Sequence, residues 1–179
     1  DGECLAYGHF QVGSIAVRVL SFDDSALKAD FWEVMLARAL QVRIATGLHN
    51  ASGISTNCYR LVHGEGDNLP GLIIDYYDGV CVLQAHSVGM FRAKKQISDA
   101  LQKVYGSDLK AVYDKSSGTA PFKAGLELID GYLYQREGFN DDEQVVMENG
   151  QKFMVNWTEG QKTGFFLDQR DNRALVGQM

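Results

Sequence analysis

Between residues 57 and 117 the chain reads as strand, strand, strand, helix, strand, an order that admits few architectures. Tyr59 to His63 has the composition of a short strand. Leu72-Ile73-Ile74-Asp75-Tyr76-Tyr77 follows a proline and a glycine, and Asp78-Gly79 makes a tight hairpin turn into Val80 to Ala85. Ile97, Ala100, Leu101, Val104 and Tyr105 then give a helix with one apolar face, stopped by Gly106, before a strand from Leu109 to Tyr113. A one-faced helix beside a mostly antiparallel sheet must bury its stripe on that sheet, so the fold class is α+β.

The flanking segments divide the chain further. Gly2 to Ser21 alternates apolar and polar residues around Gly8 and Gly13, with a β-branched run from Ile15 to Leu20. Two short strands cannot bury a core of their own, so residues 1–22 are expected to be the last strands of a small β domain whose beginning is missing. Asp23, Asp24 or Ser25 offers an N-cap to a helix running from Leu27 to about Thr46, ended by Gly47. Its apolar residues occupy two sides, the pattern of a helix between two packed bodies, so 23–53 is expected to connect domains. A central α+β domain is expected over 54–148, with an irregular crossing through Ser116, Ser117, Gly118, Thr119 and Pro121 and a further strand from Gly131 to Gln135. The clearest hairpin follows: Val145 to Glu148, the turn Asn149-Gly150, and Phe153 to Trp157, since Asn-Gly supplies the positive φ angles of a type I′ turn. Residues 149–179 then lead through a glycine-rich loop into a helix from Asp168 to Leu175, with Asp168 as its expected cap.

Composition excludes several classes. With 45% hydrophobic and 22% charged residues the chain is globular, and its apolar runs are too short to span a bilayer. Nothing resembles a secretory leader. The chain does not begin with Met, and it reads as a piece of something longer. Cys4, Cys58 and Cys81 have no metal-ligand or disulfide spacing, so no metal site is expected, and each reads as a small buried hydrophobe in a reducing, cytoplasmic protein. In that compartment the sequons at Asn50 and Asn156 are accidental. His9, His49, His63 and His86 are scattered and are expected to be structural or superficial. Asp141-Asp142-Glu143 reads as a solvated turn. A net charge of −6 argues against a surface coated for nucleic acid, though not against a local basic patch.

Two glycine motifs fail on inspection. Gly64-Glu65-Gly66-Asp67-Asn68-Leu69-Pro70-Gly71 puts a proline where a dinucleotide fold opens its helix, so it reads as a strand-to-strand turn. Gly160-Gln161-Lys162-Thr163 lacks the glycine that a phosphate-binding loop needs before its lysine. The segment Glu159 to Arg173 is richer. Lys162, Arg170 and Arg173 are suited to phosphates, with the two arginines three apart on one helical face, and Phe165 and Phe166 to stacking on a base or wedging between helices.

Ser14 to Leu20, Tyr59 to Asp67, Leu69 to Asp75 and above all Gly160 to Arg173 resemble, in order, the bacterial SAM-dependent 23S rRNA 5-methylcytosine methyltransferases. One departure falls at Asn68, where that family has glycine, at a turn that asparagine tolerates. The resemblance implies a PUA domain ending in 1–22, a central β-β-α-β-β domain in 54–148, and a hairpin and helix in 149–179 leading into a Rossmann-like catalytic domain beyond this chain. It implies S-adenosyl-L-methionine (SAM) as cofactor, ribosomal RNA as partner and a possible homodimer. It also implies a cysteine thiolate, outside this chain, that attacks C6 of cytosine so that C5 takes the methyl group. No catalytic residue is expected here. Gln161, Lys162, Thr163, Gly164 and Phe165 are expected to border the cofactor, Lys162, Arg170 and Arg173 to meet RNA, and Arg170→Ala to lower methyl transfer without unfolding. The alternative is a non-catalytic RNA-binding or ribosome-associated module.

Overall fold

The computed structural model describes residues 2–49, 55–121, 125–141 and 144–178. Its centre is a mixed sheet of five strands: β3 (Cys58–His63), β4 (Leu72–Tyr77), β5 (Val80–Ala85), β6 (Ala111–Asp114) and β7 (Gly131–Gln135). Neighbours are antiparallel except β5 and β6, which are parallel. A parallel pair needs a long crossover, and helix α2 (Val88–Tyr105) supplies it. Ser87 caps that helix by accepting from the Met90 amide, and Gly106, at φ +55°, ends it.

Side chains alternate across a strand, and both faces of this sheet are buried. Leu72, Ile74, Tyr76, Cys81, Leu83 and Val112 meet α2 and helix α1 (Phe31–Ala45) on the front face. Tyr77, Val80, Val82, Ala111 and Tyr113 face the back, where Val146, Val155 and Trp157 complete a second core. Val146 belongs to β8 (Val145–Glu148) of a hairpin with β9 (Gln151–Met154), and Val155 and Trp157 follow that hairpin. Asn149 (φ +51°) and Gly150 (φ +80°) form its turn in the expected conformation. A separate antiparallel pair, β1 (Tyr7–Phe10) and β2 (Val17–Ser21), docks on the start of α2. Gln11 accepts from the Val88 amide, and the His9 ring lies where a side chain on Gly89 would be.

Several local expectations change. The helix from Leu27 is two elements: a 3₁₀ turn Asp24–Leu27, started by Asp23 accepting from the Ser25 amide, and then α1. Local capping chemistry ends the turn before the longer helix begins. α1 buries Phe31, Met35, Leu36 and Ala39, while Val34, Val42 and Ile44 on its other side are exposed. Asp168 does not cap the last helix: a 3₁₀ turn (Leu167–Gln169) precedes α3 (Arg170–Val176), and the Asp168 carboxylate accepts from Lys162 Nζ at 3.0 and 3.1 Å. Gly64–Asp67 is a 3₁₀ turn between β3 and β4, with Asn68 left-handed at φ +57° as its residue type permits. Cys58 and Cys81 are buried, but Cys4 is exposed. Asn50, its sequon, and Asp142-Glu143 lie outside the described residues; Asp141 accepts a hydrogen bond from the Tyr132 hydroxyl. No described helix is long and apolar enough to cross a membrane.

Candidate functional site

β4 carries one residue that does not suit a core strand. Asp75, fully buried on the back face, lies opposite Arg60 of β3 and takes both its Nε (2.8 Å) and Nη2 (3.0 Å). Hydrogen bonding to Asp75 raises the pKa of that guanidinium. The carboxylate also accepts the Thr163 hydroxyl at 2.5 Å. A threonine hydroxyl has one proton, so Tyr77, whose oxygen is 2.8 Å from Thr163 Oγ1, must donate to it. Burial pushes the Tyr77 phenol up, keeping it a donor. Thr163 thus fixes the glycine-rich loop to the sheet.

Other contacts hold the same loop. Lys115, at the end of β6, donates its Nζ to the Gly160 carbonyl, and Gln84 reaches the Lys162 carbonyl at 3.5 Å. A Cβ on Gly160 would stand 2.2 Å from the Asn156 carbonyl oxygen; one on Gly164 would stand 2.8 Å from the backbone of Asn156 and Trp157. These glycines are required by the chain's own backbone. Asn156 shapes the entry by accepting from the Thr158 hydroxyl and the Glu159 amide.

Beyond the loop, Glu148 at the end of β8 is 2% exposed and gathers both arginines of α3. Arg173 grips it with Nε at 2.7 Å and Nη2 at 2.8 Å, and its third nitrogen donates to the Phe166 carbonyl. Hydrogen bonding to Glu148 raises the Arg173 pKa. Arg170 donates to the Cys58 carbonyl at 2.8 Å, with Nε 3.5 Å from Glu148. The two arginine side chains are 18% and 23% exposed.

The structure therefore sorts the residues singled out from sequence. Thr163 is buried. Phe165 packs on Phe153 at 5.3 Å and beneath the Arg173 guanidinium at 4.3 Å. Lys162 is 44% exposed, lies 4.4 Å over the Phe166 ring and pairs with Asp168; this pair pulls the Asp168 pKa down. Gln161 is exposed beside it. The single-file motif is thus split between an inner anchored edge and an outer polar edge. Sequence reading missed Asp75, Glu148 and Lys115. Asp75 carried a signal, being the one charge in an otherwise apolar strand; the other two did not.

Open grooves flank the segment. One, of about 560 Å³, lies between α1, β3 and the start of α3, lined in part by Arg43, Arg60, His63 and Arg170. Arg43 is committed to Asp67, with both contacts at 2.7 Å. Another, of about 490 Å³, runs along Asn156, Trp157, Thr158, Glu159 and Gly164 to Asp141. No cluster of potential metal ligands occurs among the described residues. Burial pushes the Cys58 thiol up to about 12 and raises Cys81 as well, the opposite of what a nucleophile needs.

The fold recurs among solved structures. A Streptococcus mutans protein assigned as a SAM-dependent methyltransferase has the same fold over 96% of this chain and 42% of its own, with a TM-score of 0.75 at 22% identity. A second solved structure, assigned as a methyltransferase and complexed with SAH, matches 94% of this chain and 40% of its own, with a TM-score of 0.74 at 22% identity. Sequence relatives are more particular. The chain is 37% identical over 180 residues to ribosomal RNA large subunit methyltransferase I of Shewanella amazonensis, covering 99% of this chain and 43% of that protein. It is 38% identical over 165 residues to the protein of that name from Pseudoalteromonas atlantica, covering 92% and 40%. The chain spans about two fifths of the length of these relatives. No protein-family model matches it.

Proposed function

We propose that this chain is the cofactor-bordering, RNA-facing part of a SAM-dependent methyltransferase that acts on large-subunit ribosomal RNA in the cytoplasm, at C5 of cytosine. The observation that carries the reading is the loop from Gly160 to Phe166, pinned from beneath by Thr163 while Gln161 and Lys162 face outward. SAM offers ribose hydroxyls and a zwitterionic amino-acid end. The groove along Asn156, Thr158, Glu159 and Gly164 presents amide, hydroxyl and carboxylate groups that fit such a ligand as one wall of its site. They do not make a whole pocket: Gly64 and Gly66 sit in a strand-to-strand turn and cannot serve as the glycine-rich nucleotide loop. When bound, SAM supplies the methyl group. Gln161 and Lys162 border it, and Thr163, Gly164 and Phe165 hold the loop's shape. Lys162 meets RNA phosphate directly, and Arg170 and Arg173 act through Glu148 by fixing α3. The relatives' shared name supports RNA as substrate.

Mapping of 5-methylcytosine in 23S rRNA from a strain deleted for the gene tests the reading. One cytosine modified in the wild type is expected to be unmodified, and regained on complementation. A methylation pattern identical to wild type refutes it and favours a non-catalytic ribosome-associated role.

A further inference from the structure

We infer that Asp75 and Thr163 form a positioning latch, through which the central sheet sets the conformation of the loop that borders the cofactor. The inference rests on the proposed function for what the loop borders, and on geometry for the latch itself. A carboxylate in the middle of a core strand is desolvated at a cost, and an apolar pair in place of Asp75 and Arg60 would serve packing equally well. Asp75 offsets that cost through Arg60 on one side and Thr163, 88 residues along the chain, on the other. Ile73 and Tyr77 share its face, so the strand needs no charge at this point for packing.

What the charge provides is direction. An apolar contact would tolerate sliding of the loop, whereas the Thr163 hydroxyl must point at Asp75 while accepting from Tyr77. Two further tethers fix the loop on the N-terminal side of Thr163, from Lys115 to the Gly160 carbonyl and from Gln84 to the Lys162 carbonyl. Lys162, at φ +52°, and Gly164, at φ +117°, turn the backbone around the anchored residue. The side chains of Gln161 and Lys162 consequently face away from the sheet because Thr163 faces into it. Neither Asp75 nor Thr163 reaches a ligand: both are fully buried and act only through the loop.

The test uses the full-length protein, with SAH as the probe. Wild type, Thr163→Val and Thr163→Ser are titrated by calorimetry, and amide exchange over residues 160–166 is followed by mass spectrometry. Thr163→Val is expected to weaken SAH binding at least about tenfold and to speed loop exchange, while Thr163→Ser, which keeps the hydroxyl, restores both to within about twofold. A folded Thr163→Val protein with affinity and exchange both within about twofold of wild type overturns the latch. If Thr163→Val does not fold, Asp75→Asn gives the same readout: faster exchange with weaker SAH binding supports the latch, and wild-type values overturn it. Wild-type protein that does not bind SAH refutes the proposed function instead. Loop exchange alone then decides whether the latch orders the loop.

Discussion

Replacing Glu148 by glutamine removes one charge and almost no volume, yet it should cost this chain about 3 kcal/mol. The carboxylate is 2% exposed and takes two hydrogen bonds from Arg173, with Arg170 3.5 Å away. An amide offers one acceptor and turns a donor toward the second guanidinium nitrogen, so one charge-assisted bond is lost and a donor faces a donor. Breaking a buried pair typically costs about 3–5 kcal/mol. The lower end applies because the arginines keep 18% and 23% exposure and recover some hydration. For a chain of this size that is a fall in Tm of about 6–12 °C, readable by circular dichroism and checked by urea unfolding. Lys162→Gln is the control: it breaks an ion pair that is 44% and 53% exposed and solvent-screened, and it should leave Tm essentially unchanged. A Glu148→Gln loss below about 1 kcal/mol would mean that α3 is not held by this clamp. The same reasoning revises the expectation for Arg170→Ala, which should lower stability as well as methyl transfer.

Other outcomes follow from the packing at the N-terminal end. Gly89→Ala would ordinarily favour a helix by up to about 1 kcal/mol. Here the added carbon would lie 2.1 Å from His9 Cγ, so the variant should be destabilised and β1–β2 cut faster by protease. His9→Ala in the same chain should recover the loss, and a strictly additive double mutant would refute the contact. Burial lowers the pKa of His9, whose Nδ1 has no hydrogen-bond partner among the described residues, and burial likewise lowers His86. Their neutral forms suit the folded state, so stability is fully present above the ordinary histidine value and falls with pH as the unfolded chain takes up protons first. Urea unfolding between about pH 7.5 and about pH 5 should show this decline, shallower in His9→Gln; an unchanged slope would show that His9 titrates freely.

Local signals set much of this structure from sequence alone. Short apolar runs in Leu72–Tyr77 and Val80–Ala85, the Asp78-Gly79 and Asn149-Gly150 turns and the one-faced α2 depend on neighbours within a few residues, and they recur in the structure. Element ends were less legible, because Asp23 and Asp168 each had several local partners to choose from, and only the folded chain selects one. The site was legible as a place and not as an arrangement. Residues 160–173 could be marked as special, but nothing in their spacing showed that Thr163 turns inward to Asp75, or that Arg170 and Arg173 converge on Glu148. Those pairings join residues 88, 22 and 25 positions apart through the packing of a hairpin and a loop on the back of one sheet. Charge and residue type say which partners a side chain can accept; only tertiary packing, by removing water from them, determines which partner it must have.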